Sequence, residues 1–208
     1  MIQHHPSDEN ILAYANGSLS RTLVLALGAH LDGCAQCCRT LTTAEAVGGV
    51  MLEAQAPAEL DEQLLSELLT QLDAPVAATP PPPPLVTLAI SLPANLRHQR
   101  IGARRWLAPG IWIRPVLKDP REGTRLYLLG AAPGKALPRH GHSGVEMTQV
   151  LTGEFHDGGT RYGAGDFLEA GDDVEHSLMV GANEECICII ASQGVPRGLP
   201  GLLMRLLA

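Results

Sequence analysis

Basic residues are nearly missing from the first third of this chain. Residues 1–73 carry ten acids and only two bases, Arg21 and Arg39, a balance of −8. The remainder has twelve acids and thirteen bases, a balance of +1. An acidic segment repels nucleic acid and suits a basic protein partner, which argues against direct DNA binding, although a solvated acidic surface is common. Aromatic residues are scarce as well, with two Trp, three Tyr and two Phe in 208 residues. No apolar run approaches the roughly 20 residues that a membrane helix needs. The opening MIQHHPSDEN lacks the basic and apolar regions of a secretory leader, so a cytoplasmic protein with no membrane contact is expected. Five cysteines, an odd number in close pairs, do not make a disulfide framework and point to metal or redox use.

What is present is concentrated in two stretches. The first is HLDGCAQC, His30 to Cys37. His30 lies on the apolar side of a helix-like run with Leu23, Leu27 and Leu31. Gly33 suits the left-handed end of that helix. Cys34 and Cys37 then fall in the first turn of the next helix, where the dipole favours the thiolate that binds metal. Structural zinc takes four Cys or His ligands in a closed site. The His4–His5 pair is the nearest source of the fourth. Two cysteines three apart can also be plain core residues or a redox pair, and a buried His can be a core residue.

Around this corner the pattern predicts a small all-α bundle. Ser7 caps a first helix that begins with Asp8 and Glu9 and ends at Gly17. A second helix spans about Ser20 to Leu31, and a third runs from Cys34 towards Met51, weakened by Gly48–Gly49. A fourth, AELDEQLLSELLTQL, presents Leu60, Leu64, Leu65, Leu68, Leu69 and Leu72 on one wide apolar face. Pro80 to Pro84 then set a semi-rigid extended spacer. The division expected is 1–73 helical domain, 74–84 linker and 85–208 second domain. From Leu85 short apolar runs between Gly, Pro, Asp and Asn predict an all-β sandwich or barrel. They are VTLAISL, WLAPGIWIRPVL, TRLYLLGA, EMTQVLTGEF, DFLEA, HSLMV and CICIIA.

The second stretch is GKALPRHGHSGVEMTQVLTG, Gly134 to Gly153, which reads G-x5-H-x-H-x3-E-x6-G. His140 and His142, two apart on a strand, point to one face, and Glu146 returns to it after a turn at Ser143–Gly144. The spacing resembles the first motif of the cupin family, a double-stranded β-helix or jelly-roll barrel. A looser second motif runs from Gly165–Asp166–Phe167 to His176, with Gly171, Asp173 and Val180 at the family's usual Pro, Gly and Asn. Carried over by position, the resemblance implies His140, His142, Glu146 and His176 as ligands of a divalent metal. Zinc is the reading adopted, although ligand type alone fits zinc, iron, manganese, nickel or copper. His156 reads as a surface turn residue before Asp157–Gly158–Gly159. Cys186 and Cys188 should face one way on a strand, with Ile187 and Ile189 opposite. They read as small core residues, since a redox sensor needs exposure and a lowered pKa.

The H-x3-C-x2-C spacing with an upstream His also resembles the zinc-binding anti-sigma domain of bacteria. Together the two halves resemble the ChrR-type anti-sigma factors over essentially the whole chain, through HHPSD, HLDGCAQC, the AVGG segment and the cupin motif. The resemblance implies His5 rather than His4 as the zinc ligand, beside His30, Cys34 and Cys37. It also implies a non-catalytic protein that binds an extracytoplasmic-function, sigma-E-like sigma factor, in a 1:1 complex, and releases it under singlet oxygen or related oxidative stress. The competing expectation is a metal-dependent cupin enzyme, a dioxygenase or isomerase, with a zinc-braced accessory domain.

Overall fold

The computed structural model describes residues 1–61, 63–72, 90–172 and 174–194. The expected linker, residues 74–84, lies outside them, as do residues 86–89 of the expected strand VTLAISL. Residues 90–92 of that run are not in a strand.

Four helices come first. Helix α1 (Asp8–Ala15) starts where expected, with the Ser7 hydroxyl accepting the Asn10 N–H at 3.3 Å. It ends at Asn16, and Gly17 takes the left-handed φ of 72° that turns the chain. Helix α2 (Arg21–Leu31) follows Ser20. Gly33 is not left-handed, contrary to expectation. The corner is made instead by Asp32 in a right-handed conformation, with the Gly33 and Cys34 amides both donating to the His30 carbonyl. Cys34 is the N-cap of α3 (Ala35–Glu53), so no glycine is needed to break the helix there. Helix α3 continues through Gly48–Gly49, and its last half is exposed. Helix α4 (Leu64–Leu72) buries no residue.

Among the described residues, ten strands follow a 3-10 turn at Ala94–Leu96. They are β1 (Arg105–Ala108), β2 (Ile111–Asp119), β3 (Thr124–Ala131), β4 (Ala136–Gly141) and β5 (Glu146–Thr152). The rest are β6 (Glu154–Asp157), β7 (Thr160–Gly163), β8 (Phe167–Ala170), β9 (Glu175–Val180) and β10 (Cys186–Gln193). One sheet has the order β1-β2-β3-β10-β5-β8 and the other β4-β9-β6-β7, and the pairings are antiparallel. Period-two alternation gives the larger sheet two apolar faces. Ile113, Val150, Cys186, Cys188 and Ile190 pack with Phe155, Leu178 and Val180 of the smaller sheet to fill the barrel. Trp112, Leu126, Leu128, Met147, Phe167, Ile187 and Ile189 point out of it.

That outer face is covered by α2. Leu23, Leu25, Ala26, Leu27, Ala29 and Leu31 join the outward residues of the sheet in one cluster. Nine of the eleven α2 residues are buried, a helix apolar all round rather than on one stripe. It is enclosed by the sheet on one side and by α1 and α3 on the other, so the helical part and the barrel share a core. The Asp32 carboxylate also accepts the Ala94 amide, and the Asn95 side-chain amide donates to the Leu25 carbonyl, tying the returning chain to α2.

Gly153, the last glycine of the long motif, joins β5 to β6 at φ 69°. A Cβ there would stand 2.5 Å from the Glu185 carbonyl oxygen. Gly153→Ala is therefore expected to cost about 2–4 kcal/mol through left-handed strain plus overpacking. For a chain of this size that lowers the thermal unfolding midpoint by roughly 5–15 °C, read by circular dichroism.

Candidate metal centres

Two clusters of donor side chains are brought together, one at the helical corner and one inside the barrel. His5, His30, Cys34 and Cys37 offer ligand atoms all within 4.8 Å of one another. The His30 Nε2 lies 3.3 Å from the Cys37 Sγ. The His5 Nδ1 lies 3.4 Å from both the Cys34 and the Cys37 Sγ. Zinc–nitrogen and zinc–sulfur bonds at a tetrahedral centre set an N···S edge of about 3.5 Å, so the spacing fits an ion held by all four. His4 is not in the cluster and packs its ring on Tyr162 instead. Cys38 turns away and donates to the Leu31 carbonyl.

The protonation of this corner differs from expectation. The helix end favours thiolate, but burial pushes the Cys37 thiol up to about 12, with the Cys34 side chain adding to the rise. A cation must therefore displace a proton. His30 is held neutral by burial, which lowers its pKa against the opposing hydrogen bonds from Gln149 and Gly165. Its Nδ1–H donates to the Gln149 Oε1 and the Gly165 carbonyl, each at 3.0 Å, leaving Nε2 with a free lone pair towards the sulfur.

Inside the barrel His140, His142, Glu146 and His176 are all buried and likewise offer atoms within 4.8 Å. The three Nε2 atoms converge, with His142–His176 at 2.9 Å and His140–His176 at 3.2 Å. Donor edges around one ion with ordinary nitrogen bond lengths are about 2.9–3.3 Å, spanning octahedral to tetrahedral arrangements. Strand register explains the convergence. His140 pairs directly with His176 across β4 and β9, after a bulge between Leu137 and His140 that accommodates Pro138. The Pro138 carbonyl accepts the His140 Nδ1–H at 2.9 Å. Glu146 opens β5, and its Oε2 is 3.4 Å from the His142 Nδ1.

The loose second motif nonetheless delivers His176, because the β4–β9 pairing sets its place whatever occupies positions 171 and 180. Burial first, then His176 and His140, lower the His142 pKa to about 4, so its lone pair is available. Burial raises Glu146 to about 8. Each donor set fits a metal ion, and neither identifies which one.

Two residues outside the expected sites complete these centres. Asp157 accepts the His176 Nδ1–H at 3.1 Å, a carboxylate–imidazole pair that leaves Nε2 facing the cluster. Its sequence signal was only that of a turn before two glycines. Asp166 accepts the amides of Gln3 and His4 at 2.6 and 3.0 Å and that of Gly163 at 2.8 Å. These amide bonds outweigh burial and hold its pKa below the usual carboxylate range. It thereby straps the segment carrying His5 to the barrel. His156 faces away from the filled interior, next to Phe155, which faces into it. Cys186 and Cys188 are free thiols 3.7 Å apart in the interior core, with Ile187 and Ile189 on the opposite face. The Cys186 side chain and burial push the Cys188 thiol well up, so neither condition for a reactive pair is met.

Residues 98–196 match the family described as the ChrR cupin-like domain. The anti-sigma-E factor ChrR of Cereibacter sphaeroides is 34% identical over 191 residues, covering 92% of this chain and 90% of that protein. This chain belongs to the ChrR family. A crystal structure described as Rhodobacter sphaeroides SigE in complex with the anti-sigma ChrR matches 92% of this chain and 99% of that one. Its TM-score is 0.76 at 34% identity. The ChrR likeness thus takes in both the helical part and the barrel, and the chain joins an all-α N-terminal part to an all-β cupin barrel.

The two clusters should release protons differently on loading with Co2+. Cys37, near 12, gives up a proton throughout the accessible range, so affinity at the corner keeps rising with pH. Glu146, near 8, contributes a displaced proton only below that value, so its contribution levels off above it. Proton release measured with an indicator dye should therefore fall, but not vanish, between about pH 6 and about pH 9.5. Asp157→Asn should weaken the barrel site for metal about 10–100-fold, measured by competition with a chromophoric chelator.

Proposed function

We propose that this chain is an anti-sigma factor. It holds an extracytoplasmic-function, sigma-E-like sigma factor in a 1:1 cytoplasmic complex and releases it under oxidative stress such as singlet oxygen. The observation that carries this reading is relatedness to an anti-sigma factor over 92% of the chain, across two parts of different fold. His5, His30, Cys34 and Cys37 hold zinc in this reading, and the barrel residues His140, His142, Glu146 and His176 hold a second divalent ion, also zinc. Closed coordination by two thiolates and two imidazoles is a structural arrangement that leaves no position for substrate.

The surface supports a protein partner. Val47, Val50, Met51 and Leu52 of α3 are exposed, as are Leu65, Leu68, Leu69 and Leu72 of α4. Leu72 retains 78% of its surface, unusual for an apolar residue at helical core spacing. The same segment carries the acidic excess, which complements a basic partner. Direct contact with DNA is disfavoured by that charge, and no helix among the described residues is long and apolar enough to cross a membrane.

Co-expression of the full chain with extracytoplasmic-function sigma factors tests the reading. A stable 1:1 complex that blocks transcription by the sigma factor is expected. Leu68→Glu with Leu69→Glu should weaken it at least tenfold while metal content stays unchanged. His30→Ala or Cys34→Ala should lose both metal at the corner and the partner. Turnover of a small carbonyl or phenolic compound by the metal-loaded chain, with no sigma factor bound, would favour the enzyme instead.

A further inference from the structure

The outer face of the barrel carries a residue that its packing does not explain. Gln149 lies on β5, between Met147 and Leu151, which pack outward against α2 in the shared core. It is 4% exposed. An apolar side chain would fill that place without the cost of burying an amide. The Gln149 amide is nevertheless satisfied on both sides: its Nε2 donates to the Val150 carbonyl, and its Oε1 accepts the His30 Nδ1–H. His30 is itself 1% exposed, and 119 residues separate the pair. The Gly165 carbonyl shares the same N–H, and the Phe167 ring meets the imidazole edge-on at 5.5 Å. The Phe167 amide donates to the His4 carbonyl, one residue before His5. Gln149, Gly165 and Phe167 all belong to the barrel, and none is a donor in either cluster.

We propose that Gln149 is the positioning residue for His30, so that the barrel supplies the outer shell of the helical metal site. By sharing the Nδ1–H with the Gly165 carbonyl, its Oε1 holds the tautomer that presents Nε2 to the ion and fixes the plane of the ring. Glu146, three residues earlier on the same strand, points to the opposite face and into the inner cluster. One strand therefore serves both centres from its two faces. The inference rests on the reading of His5, His30, Cys34 and Cys37 as metal ligands.

The test uses the full chain loaded with Co2+. Only the helical site has thiolates, so the sulfur-to-cobalt absorption reports that site alone. Gln149→Leu should weaken cobalt there about 10-fold or more and shift the visible ligand-field bands, as loss of an outer-shell partner does. Gln149→Glu keeps the acceptor and should stay within about threefold of the parent. Gln149→Asn remains polar, withdraws the acceptor by one methylene and should behave as the Leu variant. It decides the matter if the Leu variant does not fold. Cobalt at the barrel site should bind all variants equally. Unchanged affinity and bands in the Leu or Asn variant would overturn the inference, as would equal losses at both sites, which mark a general loss of stability. If the parent chain shows no sulfur-to-cobalt band, the metal assignment itself fails, and this inference with it.

Discussion

Helix α2 is apolar around its whole circumference and must be covered on every side. That constraint shapes the molecule. Helices α1 and α3 cover only part of it, so the outer face of the larger sheet provides the remaining wall. The helical corner is therefore not a free-standing brace. Its donors sit at the end of a helix wedged between α1, α3 and the barrel, and the segment bearing His5 is strapped down by Asp166. A metal ion at that corner reinforces packing that long-range contacts have already begun.

Both centres follow one chemical rule. A histidine offers a metal one nitrogen, and a hydrogen bond at the other decides which. His30 gives its Nδ1–H to Gln149 and Gly165, His140 to the Pro138 carbonyl, and His176 to Asp157. In each the Nε2 is left facing the other donors. Convergence of three imidazoles with no such partners would be ambiguous between a metal site and a hydrogen-bonded core. With them, the lone pairs are committed inward. The same exclusion of water keeps Cys37 and Glu146 protonated in the chain alone, so any cation competes with protons at both centres.

Much of this was legible in the sequence because it depends on local spacing. Ser7, the Cys34–Cys37 turn and the period-two strands are set by neighbours within a few residues. The donor sets themselves came from spacing plus a family resemblance, and the structure brings each set together. What was not legible depends on partners far away in the chain. Gly33 looked like the helix stop, but the His30 carbonyl accepting two amides closes that corner without a left-handed residue. Asp157 looks like turn chemistry and Asp166 like part of a barrel motif, and nothing in the run EMTQVLTGEF singles out Gln149. Their roles come from register between elements, which no single stretch encodes.

The distance between His30 and Gln149 along the chain has a consequence for synthesis. All four corner donors leave the ribosome within the first 37 residues, but the groups that orient His30 and His5 emerge only with residues 149–167. A nascent chain stalled before β5 carries the ligands without the wall that aims them, and it exposes the sheet-facing side of α2. The hydrogen-bond shell of the corner is thus complete only once the barrel has been made.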